Sequence, residues 1–529
     1  MDWLTTVSAL VKARAEDDRP ALLFEGQEWS WREHTSEASA RAAWYSTQRP
    51  TEGPPHIGVM LENVPEYSFW LAAAALGRFV LVGLNATRRG EQLLDDVRNT
   101  DCHLVLTDRP SLFAGLDVPI LDPHEIVYAP ASLPVEEAAL DDLFLLIFTS
   151  GTTGSPKAVC CSQGKIATLG LGLVYRVGLQ QEDVCYASMP LFHSNAVITA
   201  WSPALAVGAA LALKRKFSAS SFISDCRAVG ATYANYVGTP LSYVLAQSAS
   251  PDDADNALTR VFGNEGAPAD LARFGERFGC EVLDGFGSTE GGISISKTED
   301  TPLGALGRPV GDVQVLDSVT GAQQPCAVFD AEGRLLNADE AVGELVNLDG
   351  PFAFEGYWNA PEDTAHRTRE GRYWSGDLGY ADADGFLYFA GRSLDRLRVS
   401  GENFPAAPVA RLLTRHPDVV EAVVFAVPDP TAGDQLMAAV VPTASFDPVS
   451  FAAWVAAQPD ASKTWVPRYL RVGELPKTAT GKVVVRWLAQ QRWEGEGVWV
   501  RDGDAMRPFT AEDWVALEKA FADSGRRLL

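Results

Sequence analysis

Lysine is scarce in this 529-residue chain. There are ten lysines against thirty-four arginines, and the 69 aspartates and glutamates outweigh both to give a formal net charge of −25. A surface of that sign repels other polyanions at long range, which excludes a nucleic-acid or anionic-membrane face; any anionic ligand has to meet a locally basic pocket. The seven cysteines form an odd set without regular spacing, Cys160 and Cys161 being adjacent, so neither a disulfide framework nor a zinc site is indicated. A reducing cytoplasm suits that usage. The first eighteen residues lack the basic start and apolar stretch of an export signal and read as an amphipathic helix. Long apolar runs are lacking as well. Residues 69–84 are broken by Arg78, and 197–213 by Ser202 and Pro203, both short of the ~20 residues a bilayer requires.

What is present is an alternation of short apolar runs with helical stretches. "HIGVMLE" precedes "EYSFWLAAAALG", and "FVLVGLN" precedes "RGEQLLDDVRNT" and then "HLVLTD", a pattern that predicts an α/β fold with parallel strands. From Gly304 the texture changes to strands punctuated by Gly and Asp, as in "GELVNLDG" and "DGFLYFAGR", which predicts a smaller β-rich subdomain over about 304–392. A further unit follows Arg392, with two strands around a turn in "DVVEAVVFAVPDPTAGDQLMAAVV" and a last helix from Thr510 to Gly525.

The stretch "FTSGTTGSPKAV" (148–159) sets a loop of small hydroxyl residues and one cation directly after the apolar run "LFLLI". Backbone amides freed by Gly151 and Gly154, the hydroxyls of Thr149, Ser150, Thr152 and Thr153, and the ammonium of Lys157 together suit a polyphosphate. The spacing differs from a P-loop kinase, because Pro156 stands five residues after Gly151 where that motif requires glycine.

Further segments follow in order: "MPLFHSNA" (189–196), "GNEGAP" (263–268), "DGFGSTEGG" (284–292), "WSGDLG" (374–379), "GRSLDRLRVSGEN" (391–403) and "LPKTATGK" (475–482). With the loop at 148–159 they resemble, over nearly the whole chain, the superfamily of acyl-CoA synthetases, peptide-synthetase adenylation domains and beetle luciferases. The closest likeness is to bacterial acyl-CoA ligases. The tail after Lys482 resembles that of ligases for long-chain or polycyclic acids, and more narrowly that of actinomycete specialised-metabolite ligases such as those of platensimycin and platencin biosynthesis.

The resemblance implies a fold and a reaction. It implies a large N-terminal domain (1–392) of two α/β sheets plus the β-rich subdomain, and a small mobile α+β C-terminal domain (393–529). A carboxylate attacks the α-phosphorus of ATP with Mg²⁺ present, pyrophosphate leaves, and the acyl group passes to CoA or another thiol. Two anions must converge while their charge is neutralised. Thr149 to Gly154 and Lys157 would grip the β- and γ-phosphates, Glu290 would hold Mg²⁺, and Thr289 would bond the α-phosphate. Gly266, Ala267, Pro268 and the run Asp284, Gly285, Phe286, Gly287 and Ser288 would surround the nucleoside, with Phe286 stacking where the family usually has tyrosine. Asp377 and Arg392 would meet the ribose, and Lys482 would bridge carboxylate and α-phosphate. His193 would gate the thiol tunnel beside Gly401. Tyr236, Val237, Gly238 and Gly263 would line the acyl pocket, the small residues leaving room for a bulky hydrophobic, aryl or long-chain acid.

The sequence departs from the family at its hinge. Leu394 stands where an acid or lysine is usual, and Pro408 and Ala410 replace acids in the following loop. An enzyme dominated by adenylation, with weak thiol transfer, therefore stays open beside the full ligase. So do a luciferase-like oxygenase and a non-catalytic nucleotide-binding protein, and the oligomeric state is open, a homodimer included.

Overall fold

The computed structural model describes residues 4–523 apart from 150–155, 265, 267, 299, 303, 331–334, 393–395, 400–401, 431–433, 459–460, 462, 478–480 and 482. The chain divides into two compact units, one comprising residues 1–294 and 351–370, the other residues 295–350 and 371–529.

Among the described residues the first unit carries thirteen strands in chain order: β1 Pro20–Phe24, β2 Gln27–Ser30, β3 His56–Met60, β4 Val80–Gly83, β5 Cys102–Thr107, β6 Ile120–Leu121, β7 Leu143–Thr149, β8 Lys157–Ser162, β9 Val184–Ala187, β10 Ala210–Leu213, β11 Tyr233–Val237, β12 Arg260–Asn264 and β13 Glu281–Gly285. They form two sheets, ordered β6-β5-β3-β4-β7-β8 and β13-β12-β11-β9-β10-β1-β2. Pairing is parallel throughout except for β7 with β8 and β1 with β2. The expected parallel α/β arrangement is therefore present, and its cause is visible in the burial. Every residue of β3 and β4 is buried, as a strand covered by helices on both faces requires. The helix Pro65–Gly77 between them is buried from Glu66 to Leu76. It starts with proline in its first turn and stops at Arg78, whose φ of +51° is left-handed. The helix Trp31–Gln48 opens on a reciprocal cap between Ser30 and Glu33.

One helical expectation shortens, and the end of the last helix, expected at Gly525, lies outside the described residues. The N-terminal helix spans only Val7–Lys12, because the Thr6 side chain accepts from Ala9 N and fixes its start there. The last helix is Ala511–Asp523, capped by Thr510, whose N–H donates to the Asp513 carboxylate while its own hydroxyl accepts from Asp513 N. The apolar run 197–213 is a single π-turn (Val197–Trp201), a short helix with Pro203 at its start, and β10.

The second unit holds a four-stranded antiparallel sheet of Val313–Leu316, Gly343–Asn347, Tyr373–Ala381 and Leu387–Arg392. It also holds a mixed sheet centred on the antiparallel pair Val419–Pro428 and Asp434–Pro442. The helices Ala406–Leu413 and Pro448–Ala456 cover that sheet through Val409, Leu413, Phe451 and Val455, all fully buried. Among the described residues all seven cysteines are free thiols, and only Cys326 is exposed.

Candidate active site

The phosphate-loop motif falls on the β7–β8 hairpin. Thr149 pairs with Lys157 as the last rung of the ladder, and Ser150 to Gly154 lie outside the described residues. Beyond β8 the Ser162 hydroxyl accepts from Lys165 N and starts the helix Gln163–Val177, so strand, loop and helix follow without slack. Lys157 does not stand alone. Its Nζ is 2.5 Å from Asp363 Oδ1 and 5.4 Å above the Tyr357 ring.

A returning segment braces this hairpin. Gly356, at φ +97°, turns the chain so that residues 356–358 run antiparallel to β8: Cys160 N donates to Gly356 O, Trp358 N donates to Ala158 O, and Val159 is opposite Tyr357. Tyr357 and Glu290 are both buried, and the phenol donates to Glu290 Oε1 at 3.0 Å. Burial, and next the Glu290 charge, push the Tyr357 pKa up, so the phenol stays a donor. Lys165 Nζ donates to the Glu290 carbonyl at 3.2 Å and to Cys160 O at 3.3 Å, fixing the backbone that carries the carboxylate. Thr289, also buried, lies with its Oγ1 2.7 Å from Ser194 Oγ. Ser194 is the first residue of a helical turn after His193, whose ring packs 4.4 Å from that of Phe192.

Tyr236, Gly263 and Asp284 occupy one row across β11, β12 and β13. The Tyr236 ring crosses Gly263 to donate from its hydroxyl to Asp284 Oδ1 at 2.8 Å, and Gly266 N donates to the same oxygen at 3.1 Å. A Cβ on residue 263 would sit 2.6 Å from the tyrosine ring and 2.3 Å from Tyr236 O, so glycine is required there by Tyr236 itself. The room expected above Gly263 for an acid is thus filled by a side chain. Val237 is buried at the end of β11, and Gly238 opens the helix Gly238–Leu245. Gly285 ends β13, with Phe286 half-buried after it, Gly287 exposed and Ser288 Oγ accepting from Gly291 N. Pro268 opens the helix Pro268–Phe278, while Ala267 lies outside the described residues.

In the second unit, Asp377 is buried on the strand Tyr373–Ala381, directly opposite Arg392 on the neighbouring strand. Its backbone is held by Asp377 N donating to Ser375 Oγ and by Gly376 N donating to Glu344 Oε1. The two residues expected at the ribose are therefore cross-strand partners. Leu394, Gly401 and Lys482 lie outside the described residues.

Within the first unit the structure brings Lys157, Glu290 and Thr289 together through residues that sequence reading missed: Tyr357, Asp363, Lys165 and Ser194. The signal for Tyr357 was a glycine-tyrosine pair just before "NAPED", where a forced turn precedes an aromatic and an acid. Nothing local gave its partner, 67 residues upstream.

Comparison with known proteins identifies the family. Residues 11–358 match the AMP-binding enzyme family, and residues 409–482 match the AMP-binding enzyme C-terminal domain. The chain is 45% identical over 547 residues to a steroid-22-oyl-CoA synthetase of Rhodococcus jostii, covering 99% of this chain and 98% of that protein. It is 47% identical over 509 residues to a medium/long-chain-fatty-acid–CoA ligase of Mycobacterium marinum, covering 94% and 99%. In fold it superposes on ATP-bound MatB from Rhodopseudomonas palustris with TM-score 0.79 at 21% identity, over 92% of this chain and 99% of that one. With two thirds of its length inside one family and near-complete alignment to such ligases, the chain belongs to the AMP-binding enzymes, among the AMP-forming acyl-CoA ligases.

Proposed function

We propose that this enzyme activates a bulky hydrophobic carboxylic acid, a medium- or long-chain fatty acid or a steroid side-chain acid, as its acyl-adenylate and then as its CoA thioester. The observation that carries the reading is that the carboxyl ends of β7, β11, β12 and β13, the start of β8 and the return segment 356–363 converge on one set of bonded residues. Open α/β sheets bind their ligands at such carboxyl ends. The names of these two relatives support the acid class.

The residues fit the groups the reaction requires. Among the described residues there is no group of three or more His, Cys, Asp or Glu able to cage a metal. Glu290 is a lone buried carboxylate, one oxygen of which is already bonded. That donor set suits Mg²⁺, which binds through one or two carboxylates and completes its shell with phosphate oxygens and water. Held by Glu290, such an ion would supply positive charge against the phosphate oxygens.

The chain's own residues do the rest. Lys157 and the hydroxyls of Thr149, Ser150, Thr152 and Thr153 hold the terminal phosphates, and Thr289 donates to the α-phosphate. Asp284 stays bonded to Gly266 N and Tyr236, keeping the nucleoside turn open as a preformed surface beside Phe286. Asp377 and Arg392 take the ribose. Lys482 brings its ammonium between carboxylate and α-phosphate, where a compact charge with three donors serves both anions. His193 and Gly401 admit the thiol, and Val237 and Gly238 border the acyl chain. The boundary between the ATP-binding part and the C-terminal lid falls between residues 392 and 393, and the working compartment is the cytoplasm, which supplies ATP and CoA.

The test is turnover of purified protein with ATP, Mg²⁺ and CoA against dodecanoate, palmitate, a steroid C22 acid, benzoate and leucine. Pyrophosphate and acyl-CoA are measured separately. Hydrophobic acids should give both products. Pyrophosphate release no faster with any of these acids than without acid sinks the reading.

A further inference from the structure

Thr289 has one hydroxyl proton, and the role given to it needs that proton to point at a phosphate oxygen. Its oxygen is 2.7 Å from Ser194 Oγ, a distance at which one hydroxyl must donate to the other. If Thr289 donated to Ser194, it would have nothing left for the α-phosphate. If Ser194 donates, the Thr289 lone pair is filled and its proton is free to turn outward. The N-cap of this short helical turn is His193, so the Ser194 hydroxyl has no capping task. It is instead held by its neighbours. Asn195 Nδ2 donates to Tyr236 O at 3.2 Å, and Asn235 Nδ2 donates to Asn195 Oδ1 at 2.7 Å, which ties the turn to β11.

We propose that Ser194 is a positioning residue for the α-phosphate contact: its hydroxyl donates to Thr289 Oγ1 and thereby sets the direction in which Thr289 donates. This rests on the role proposed for Thr289 and names the residue on which that role depends. Ser194 immediately follows His193 on the segment expected to border the acyl and thiol path.

The test uses full-length enzyme, with Ser194→Ala, Ser194→Thr, Thr289→Ala and the double variant Ser194→Ala/Thr289→Ala. Two readouts are taken: acid-dependent pyrophosphate–ATP exchange with dodecanoate and with a steroid C22 acid, and calorimetric affinity for 5′-O-(N-dodecanoylsulfamoyl)adenosine, a stable mimic of the acyl-adenylate. Losing one hydrogen bond to a polar partner corresponds to roughly tenfold. Ser194→Ala should lower the exchange kcat about tenfold while the ATP KM stays within about twofold, and should weaken the mimic by a similar factor. Ser194→Thr, which keeps the hydroxyl, should restore both. The double variant should be no worse than Thr289→Ala alone, because the serine acts only through the threonine. Additive losses in the double variant, or wild-type exchange and mimic affinity in Ser194→Ala beside an impaired Thr289→Ala, overturn the proposal and leave the Thr289 role standing. Wild-type behaviour of Thr289→Ala overturns the role of Thr289 itself, and with it that of Ser194.

Discussion

Replacing Tyr357 by phenylalanine removes one oxygen from the site and little else. The ring stays where it is, in edge contact with Phe354 at 5.1 Å and under Lys157 at 5.4 Å, so packing and the cation contact persist. What goes is the bond from the phenol to Glu290 Oε1 at 3.0 Å, between two buried side chains. A hydrogen bond to a charged acceptor is worth about 1.5–3 kcal/mol, and the carboxylate left behind keeps its desolvation cost. Two effects follow from one deletion. The free enzyme should lose about 1.5–3 kcal/mol of stability in urea unfolding. The Mg²⁺ concentration giving half-maximal pyrophosphate exchange should rise about tenfold or more, since the carboxylate is no longer aimed. ATP affinity measured by calorimetry in the presence of a chelator should stay within about twofold, because the phenol is assigned no contact with the nucleotide. Wild-type Mg²⁺ dependence together with wild-type stability would refute the account of Tyr357 as the group that orients Glu290. Weakened ATP binding without metal would show that Tyr357 serves the phosphates directly.

Much of the first unit was legible because its strands are buried on both faces and therefore read as uninterrupted apolar runs. β3, β4 and β5 were found that way, and so was the buried helix Pro65–Gly77, whose alanines leave no polar face to misread. The phosphate loop was legible for the opposite reason: small, polar and turn-forming residues after such a run have few structural uses. What stayed hidden were the supports. Tyr357, Asp363 and Ser194 bond to residues 67, 206 and 95 positions away, and the first two partnerships depend on a chain that leaves the first unit at residue 294 and returns at 351. No periodicity or local spacing encodes that return. Gly263 shows a different failure. A glycine in a strand signals that something approaches closely, but the sequence does not say whether a ligand or a neighbouring side chain does so. Here the Tyr236 ring claims the space, because Asp284 in the next strand offers its hydroxyl an acceptor.

Asp363→Asn should tighten ATP binding, by about two- to fivefold at low ionic strength, because the carboxylate at 2.5 Å competes with phosphate for Lys157; with side-chain exposures of 13% and 38% the gain should shrink as salt is added, and weaker binding by calorimetry would show that Asp363 places the lysine and does not compete for it. Lys482→Ala should lower the adenylation rate by ~10²- to 10³-fold while CoA transfer from a supplied acyl-adenylate is spared, and equal loss in both half-reactions would remove the lysine from its assigned step. The last prediction concerns acid stability and His34. This ring is wholly buried, its Nε2 2.8 Å from Ser68 Oγ, which also accepts from Trp201 Nε1; burial, and next the Arg41 charge, push its pKa down to about 3 from an ordinary value near 6.5. The unfolded chain thus binds a proton that the folded one refuses between those values. Stability contributed by the neutral ring is complete above about pH 6.5 and falls by about 1.4 kcal/mol per unit below it, or about 2 kcal/mol by pH 5. Urea unfolding of wild type and His34→Gln at pH 7.5 and pH 5 measures the difference. The variant should start less stable and lose about 2 kcal/mol less on acidification, whereas an identical loss in both proteins would mean that His34 is not the group whose protonation the fold resists.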